Sequence, residues 1–118
     1  MNNFYKKGNK YKNVKTKDGF DSGKERKRFL ELELLQKAGI ITSLNKQVSF
    51  ELIDKFTDKR GIKEREAKYI ADFVYYDREK KSFVIEDVKS PITRKLSVYV
   101  LKRKLVKQRY PDYLFFEV

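Results

Sequence analysis

At 118 residues the chain has room for one domain built on a single sheet-and-helix core. It contains no Cys and no His, which excludes disulfides, thiolate and imidazole metal sites, cysteine nucleophiles and Ser-His-Asp hydrolysis; any catalysis must run on carboxylates, Lys, Tyr and hydroxyls. Lys and Arg number 29 against 17 Asp and Glu, a net charge of +12 that is unevenly placed. Residues 1–19 hold six Lys and one Asp, residues 90–110 hold seven basic and no acidic side chains, and residues 20–89 are near balance with 16 basic and 14 acidic. Segregation of this kind is the footprint of a polyanion binder, whereas a solubility device needs none.

Residues 1–19 are polar, Lys-rich and poor in aliphatics, and they predict a flexible basic arm ahead of a single domain over 20–118. Tyr5 and Tyr11 interleave with Lys6, Lys7, Lys10 and Lys12, a composition suited to phosphate contact with some base stacking; an unspecific terminus has the same look. The opening residues lack an apolar signal region and no run approaches a membrane span, so the expected location is cytoplasmic, with no membrane partner. Ser22-Gly23-Lys24-Glu25 fits a capping box, and good helix formers continue to Ala38, where Gly39 ends the first helix. Glu25 has two readings. It can bond back to the Ser22 backbone, or it can point a carboxylate to the core side, since it shares a face with Phe29 and Leu32.

Ile40 to Phe56 reads as the first strand region, alternating through Val48, Phe50 and Leu52, with Gln47 just ahead of the alternation. Thr57 to Glu66 carries mixed charge and Gly61, a loop or hairpin turn. Tyr69–Tyr76 and Phe83–Val88 then form two strands joined by Asp77-Arg78-Glu79-Lys80-Lys81, a turn without an apolar residue. Asp72, Asp87 and Lys89 interrupt these apolar strands, and a buried charge costs several kcal/mol, on the order of what a good partner returns. Alternation puts Asp87 and Lys89 on one face and Glu86 and Val88 on the other. A hairpin folded about Glu79 sets Asp72 opposite or diagonal to Asp87, with opposed Cβ atoms roughly 5 Å apart. Two such carboxylates repel unless a hard divalent cation such as Mg²⁺ lies between them, and Mg²⁺ takes one or two carboxylates with phosphate oxygens and water. Lys89 beside them supplies a mobile positive charge for a water or a phosphate.

Ser90-Pro91 predicts the start of a second helix, with Ser at the N-cap and Pro at the first helical position. Ile92, Leu96, Tyr99, Val100, Arg103 and Val106 trace its apolar stripe. Arg94, Lys95, Lys102, Lys104, Lys107 and Arg109 carry positive charge that can follow a nucleic-acid backbone or simply face solvent. Tyr110-Pro111 ends the helix, and Tyr113–Val118 reads as a last strand. The order α-β-β-β-α-β predicts an α/β fold with a mixed central sheet and flanking helices, the last two strands parallel across the helical crossover.

Asp72, a hairpin, and then Asp87-Val88-Lys89 resemble the signature of the PD-(D/E)XK nuclease superfamily. The likeness is nearest to an uncharacterised family of small phage-encoded proteins, and more distant to archaeal-type Holliday-junction resolvases and to the end-cleaving nuclease subunit of certain transposases. It covers Phe20 to the C-terminus, and it departs from the signature in having Ala71 where Pro precedes the Asp. The resemblance implies a Mg²⁺-dependent DNA endonuclease, with Mn²⁺ as a substitute, in which Asp72 and Asp87 ligate the metal and the Val88 carbonyl is a third ligand. It implies that Glu25 holds a second metal or a metal-bound water, that Lys89 orients the attacking water, and that Gln47 lies beside the site, although a Gln at a strand end fits that position equally. A branched junction as substrate, a homodimer making paired cuts and a phage origin acting in host cytoplasm also follow from the resemblance alone. Two other readings stay open: a non-catalytic DNA- or RNA-binding protein whose carboxylates pair with Lys and Arg, and a sequence-specific nuclease with Asp54–Glu66 as its specificity loop.

Overall fold

A computed structural model describes residues 22–118; the expected basic arm, with Lys6, Lys7, Lys10 and Lys12, lies outside them. The Ser22 side chain accepts from the Glu25 N–H at 3.1 Å and opens α1 (Gly23–Lys37). Gly39, at φ +79°, turns the chain out of the helix in the left-handed region that a Cβ disfavours. A long strand follows, β1 (Ile41–Ile53), and then a small antiparallel hairpin, β2 (Phe56–Thr57) with β3 (Lys63–Glu64). Asp58 closes that hairpin by accepting from the N–H groups of Arg60 and Ile62, so the expected turn around Gly61 is an Asx-type turn.

The centre of the sheet is β4 (Ala67–Asp77) and β5 (Ser82–Asp87). Asp77 Oδ1 accepts from the N–H groups of Glu79 and Lys80 at 3.0 and 2.9 Å, which ties the hairpin turn and sets its register. The sheet runs β1-β4-β5-β6, with β6 (Tyr113–Glu117) parallel to β5 and the other pairs antiparallel. This is the expected α/β fold with a mixed sheet and a helix on each face. Leu32 of α1 packs with Ile41, Phe73, Tyr75 and Val84. On the other face, Tyr99 and Val106 of α2 (Ser97–Arg109) pack with Phe50, Leu52, Tyr69, Ala71, Val74 and Ile85. The larger aliphatic side chains and Phe among them each contribute about 1.5–3 kcal/mol by leaving water. No helix among the described residues is long and apolar enough to cross a membrane.

The start of the second helix differs from expectation. The Ser90 hydroxyl does accept from the Thr93 N–H at 3.1 Å, but it ties a turn that leads only into a short 3₁₀ segment over Thr93–Lys95, whose own N-cap, Ile92, makes no side-chain bond. Leu96 is extended, at φ −66° and ψ 132°, and α2 begins only at Ser97. Packing explains the break. Ile92 and Leu96 find no interior and stay 77% and 54% exposed, so no buried face carries the helix back to Pro91.

Candidate metal centre and adjoining cleft

The β4–β5 ladder pairs Phe73 with Glu86, and one step further it brings Asp72 to Asp87. The two residues interlock. Asp87 Oδ1 accepts from the Asp72 N–H at 3.3 Å, and Asp72 Oδ2 accepts from the Val88 N–H at 2.8 Å. The Lys89 ammonium lies 3.5 Å from Asp87 Oδ1 and 3.8 Å from Asp72 Oδ2, with its Nζ 5.8 Å from the centre of the Tyr99 ring. Burial pushes the Asp87 carboxyl up to about 6 despite Lys89, since water cannot solvate its charge. Burial works against the charge on Lys89 as well, but Asp87 and then Asp72 outweigh it and hold the ammonium above its ordinary value. Lys89 is therefore a cation and donor here and not a base.

Asp72 sits where the sheet changes face. Tyr69 and Ala71 belong to the core under α2, whereas Phe73 and Tyr75 belong to the core under α1. The β1–β4 ladder steps from Lys46↔Phe73 to Val48↔Ala71, and Gln47, in the gap between these pairs, has the left-handed φ of +52°. A non-glycine residue there costs on the order of 1–3 kcal/mol and marks a position held for another reason. Gln47 Nε2 donates to Glu25 Oε2 at 3.1 Å and to Asp72 Oδ1 at 3.5 Å, linking the helix carboxylate to the hairpin. Gln47 thus lies inside β1 and not ahead of it, a correction to its reading as a strand-end residue, because the strand runs through its distorted backbone.

Asp72, Asp87 and Lys89 come together directly, Val88 joins them through its backbone N–H, and Glu25, buried at the start of α1, is one amide away. Among the described residues no three carboxylates stand close enough to enclose a metal ion. A pair suffices for a hard cation that completes its shell with water and phosphate. The donor set fits: Asp87 is fully buried, and its Oδ2 has no hydrogen-bond partner among the described residues, although an unmet buried oxygen costs about 1–3 kcal/mol or more. Glu86 faces away, as its parity predicts, bound by Arg28 of α1 and by the Tyr75 hydroxyl.

A cleft of about 270 Å³ opens beside the carboxylates. Among the described residues, Lys102 is the one expected DNA-binding side chain that lines it. Arg94 is half-buried on the 3₁₀ turn, while Lys95, Lys104, Lys107 and Arg109 are exposed. Lys95 and Lys104 border a separate shallow groove with Ser97, Val100 and Leu101. The basic stripe does not follow Lys89 as one face, because residues 90–96 intervene and redirect the chain. As a test of the expected DNA contact, Lys102→Ala should weaken binding to a DNA duplex and lower the salt slope by about one, and Lys104→Ala should change both less; equal effects in a salt titration would place the backbone contact elsewhere. Two residues near the site carried no sequence signal. Lys24 donates to the Lys89 carbonyl at 3.4 Å, and Tyr99, read only as part of an apolar stripe, lies against the Lys89 ammonium.

Fold and site define an α/β protein with two interlocked carboxylates and a lysine on its central hairpin. The chain belongs to the family described as "Protein of unknown function (DUF1064)", whose model matches residues 5–116. No curated protein and no solved structure matches it.

Proposed function

We propose that the protein is a Mg²⁺-dependent DNA endonuclease that hydrolyses phosphodiester bonds, structure-selective for branched DNA and active as a homodimer. The observation that carries the reading is the Asp72–Asp87 pair across β4 and β5, with a partnerless buried oxygen on Asp87 and Lys89 within 4 Å of both. Asp72 and Asp87 would hold the ion, which when bound lowers the pKa of water and neutralises charge on the phosphate. The protein's own residues do the remaining work. Lys89, kept protonated by the two carboxylates, donates to a non-bridging phosphate oxygen and orients the attacking water. Gln47 holds the Glu25 carboxylate toward that water, and Lys102 contacts the neighbouring backbone phosphate.

The decisive assay compares a labelled four-way junction with the matching linear duplex, in Mg²⁺ and in EDTA. Metal-dependent cutting with preference for the junction is the expected result; equal cutting of the two removes the branched-DNA reading. The ion pairs from Lys89 to both carboxylates favour a second reading, a non-catalytic nucleic-acid binder in which the cluster is structural. Binding without cutting in either Mg²⁺ or Mn²⁺ would establish that one.

A further inference from the structure

The cleft has a chemical end and an apolar wall. Gln47, Asp72, Asp87 and Lys89 form the first, and Ile70, Tyr69, Tyr99, Leu96 and Val98 form the second. A phosphodiester backbone needs only the first. Leu96 and Val98 are 54% and 56% exposed, and they are held out by the break that ends the 3₁₀ turn and restarts the chain as α2. Leu96 offers no side-chain cap, residues 90–110 carry no acidic side chain, and Lys89 and Lys102 line the cleft, so this side of the mouth is positive and faces the two carboxylates; Glu117, behind the wall, is taken up by Tyr99 and Arg103. The wall also holds an unmet polar atom. The Tyr69 hydroxyl is buried and has no hydrogen-bond partner among the described residues. Apolar surface, a lone buried hydroxyl and a positive mouth beside a phosphate-reactive centre match one kind of occupant, a nucleoside joined to its phosphate. At about 270 Å³ the cleft is slightly below the usual range for ligand cavities, about 300–1,000 Å³. That is room for one base and its sugar and not for a base pair.

We infer that the cleft receives the base and sugar of one unpaired nucleotide whose phosphate lies at Asp72, Asp87 and Lys89, so that the enzyme prefers DNA with an unpaired or extruded nucleotide beside the cut. This rests on the nuclease reading and narrows its substrate. Extruding a paired base costs a few kcal/mol, roughly, and least where the base is already unpaired, so branch points and bulges enter more readily than uniform duplex. Leu96 and Val98 cover one face of the base, and the Tyr69 hydroxyl meets a polar atom of its edge.

Three duplexes that are otherwise identical test this in Mg²⁺: one fully paired, one with a single bulged nucleotide, and one with an abasic unit at the bulge. The abasic bulge keeps the backbone flexibility and removes the base. Wild type should cut the bulged nucleotide about tenfold faster than the abasic bulge, in line with one apolar base contact, and the Leu96→Ser/Val98→Ser double variant should bring the two rates together. Equal rates on the two bulges for wild type overturn the inference while leaving the nuclease reading intact. If neither these duplexes nor the four-way junction is cut, the nuclease reading fails and binding decides the pocket by itself. In EDTA, deoxyadenosine monophosphate should then shift amide resonances at Leu96 and Val98 at about tenfold lower concentration than 2-deoxyribose 5-phosphate. Equal response to the two ligands rejects a base site, and Tyr69→Phe serves as a variant that keeps the fold while removing only the hydroxyl.

Discussion

Asp87→Asn should abolish the proposed cleavage, a loss on the order of a thousandfold or more, and at the same time make the metal-free protein more stable near neutral pH. Both effects come from the same burial. Asp87 is fully enclosed, and its carboxyl titrates at about 6 in the fold against an ordinary value of 3.8. As pH rises from about 4 to about 6, the unfolded chain gives up this proton while the folded chain keeps it, so this group's contribution to stability is lost across that window and stays lost above it. The gap corresponds to about 3 kcal/mol, of which asparagine should recover a large part, because it accepts from the Asp72 N–H in the same way and carries no charge. Urea denaturation in EDTA should show the variant more stable than wild type near pH 8, with the two curves converging near pH 4. Retained cleavage, or a variant less stable than wild type at the higher pH, contradicts this account of Asp87.

Arg28→Met should strongly destabilise the fold. Arg28 donates through Nε and Nη2 to the two oxygens of Glu86, and the Tyr75 hydroxyl donates to one of them at 2.6 Å. Glu86 is 1% exposed, so losing the guanidinium strands a carboxylate in the core, at a cost of about 3–5 kcal/mol. Adding Glu86→Gln removes the stranded charge, and the double variant should regain more than half of the loss; the coupling energy from the double-mutant cycle measures this. The clamp also bears on the site. Glu25 lies on α1 one turn before Arg28, and Asp87 follows Glu86 on β5, so the same ion pair sets the helix carboxylate relative to the hairpin. Folded Arg28→Met at low temperature should therefore bind DNA as wild type does and cut it at least about tenfold more slowly. Unchanged stability would mean that solvent or another cation reaches Glu86.

The hairpin was readable from the sequence because its signals are local. Apolar strands on either side of a charged turn predict a hairpin, and folding it about Glu79 leaves Asp72 opposite or diagonal to Asp87; the observed turn, tied by Asp77 and centred between Glu79 and Lys80, brings the two together. Parity placed Glu86 and Asp87 on opposite faces for the same reason, and local signals likewise open α1 after Ser22 and turn the chain at Gly39. The α/β fold with its parallel final strand follows from element order, since a helical crossover returns the chain alongside β5.

What escaped the sequence depends on contacts between distant segments. Ser90-Pro91 carries a valid start signal, yet whether a helix continues depends on burial of its face, and the exposed Ile92 and Leu96 leave only a 3₁₀ turn. The Gln47 backbone has no local cause for its left-handed φ; it matters only because Glu25 and Asp72 meet its amide from 22 and 25 residues away. The basic residues of the second helix were countable, but only the direction of α2 decided that Lys102 lines the cleft while Lys104 borders another groove. Composition and period by themselves determined the charge, the absence of His and Cys chemistry, the order of the main elements and the closeness of the two aspartates. Tertiary packing alone decided how deeply Asp87 is buried, which cations reach it and what shape of cleft lies beside it, because desolvation and orientation arise only when the separate elements close on one another.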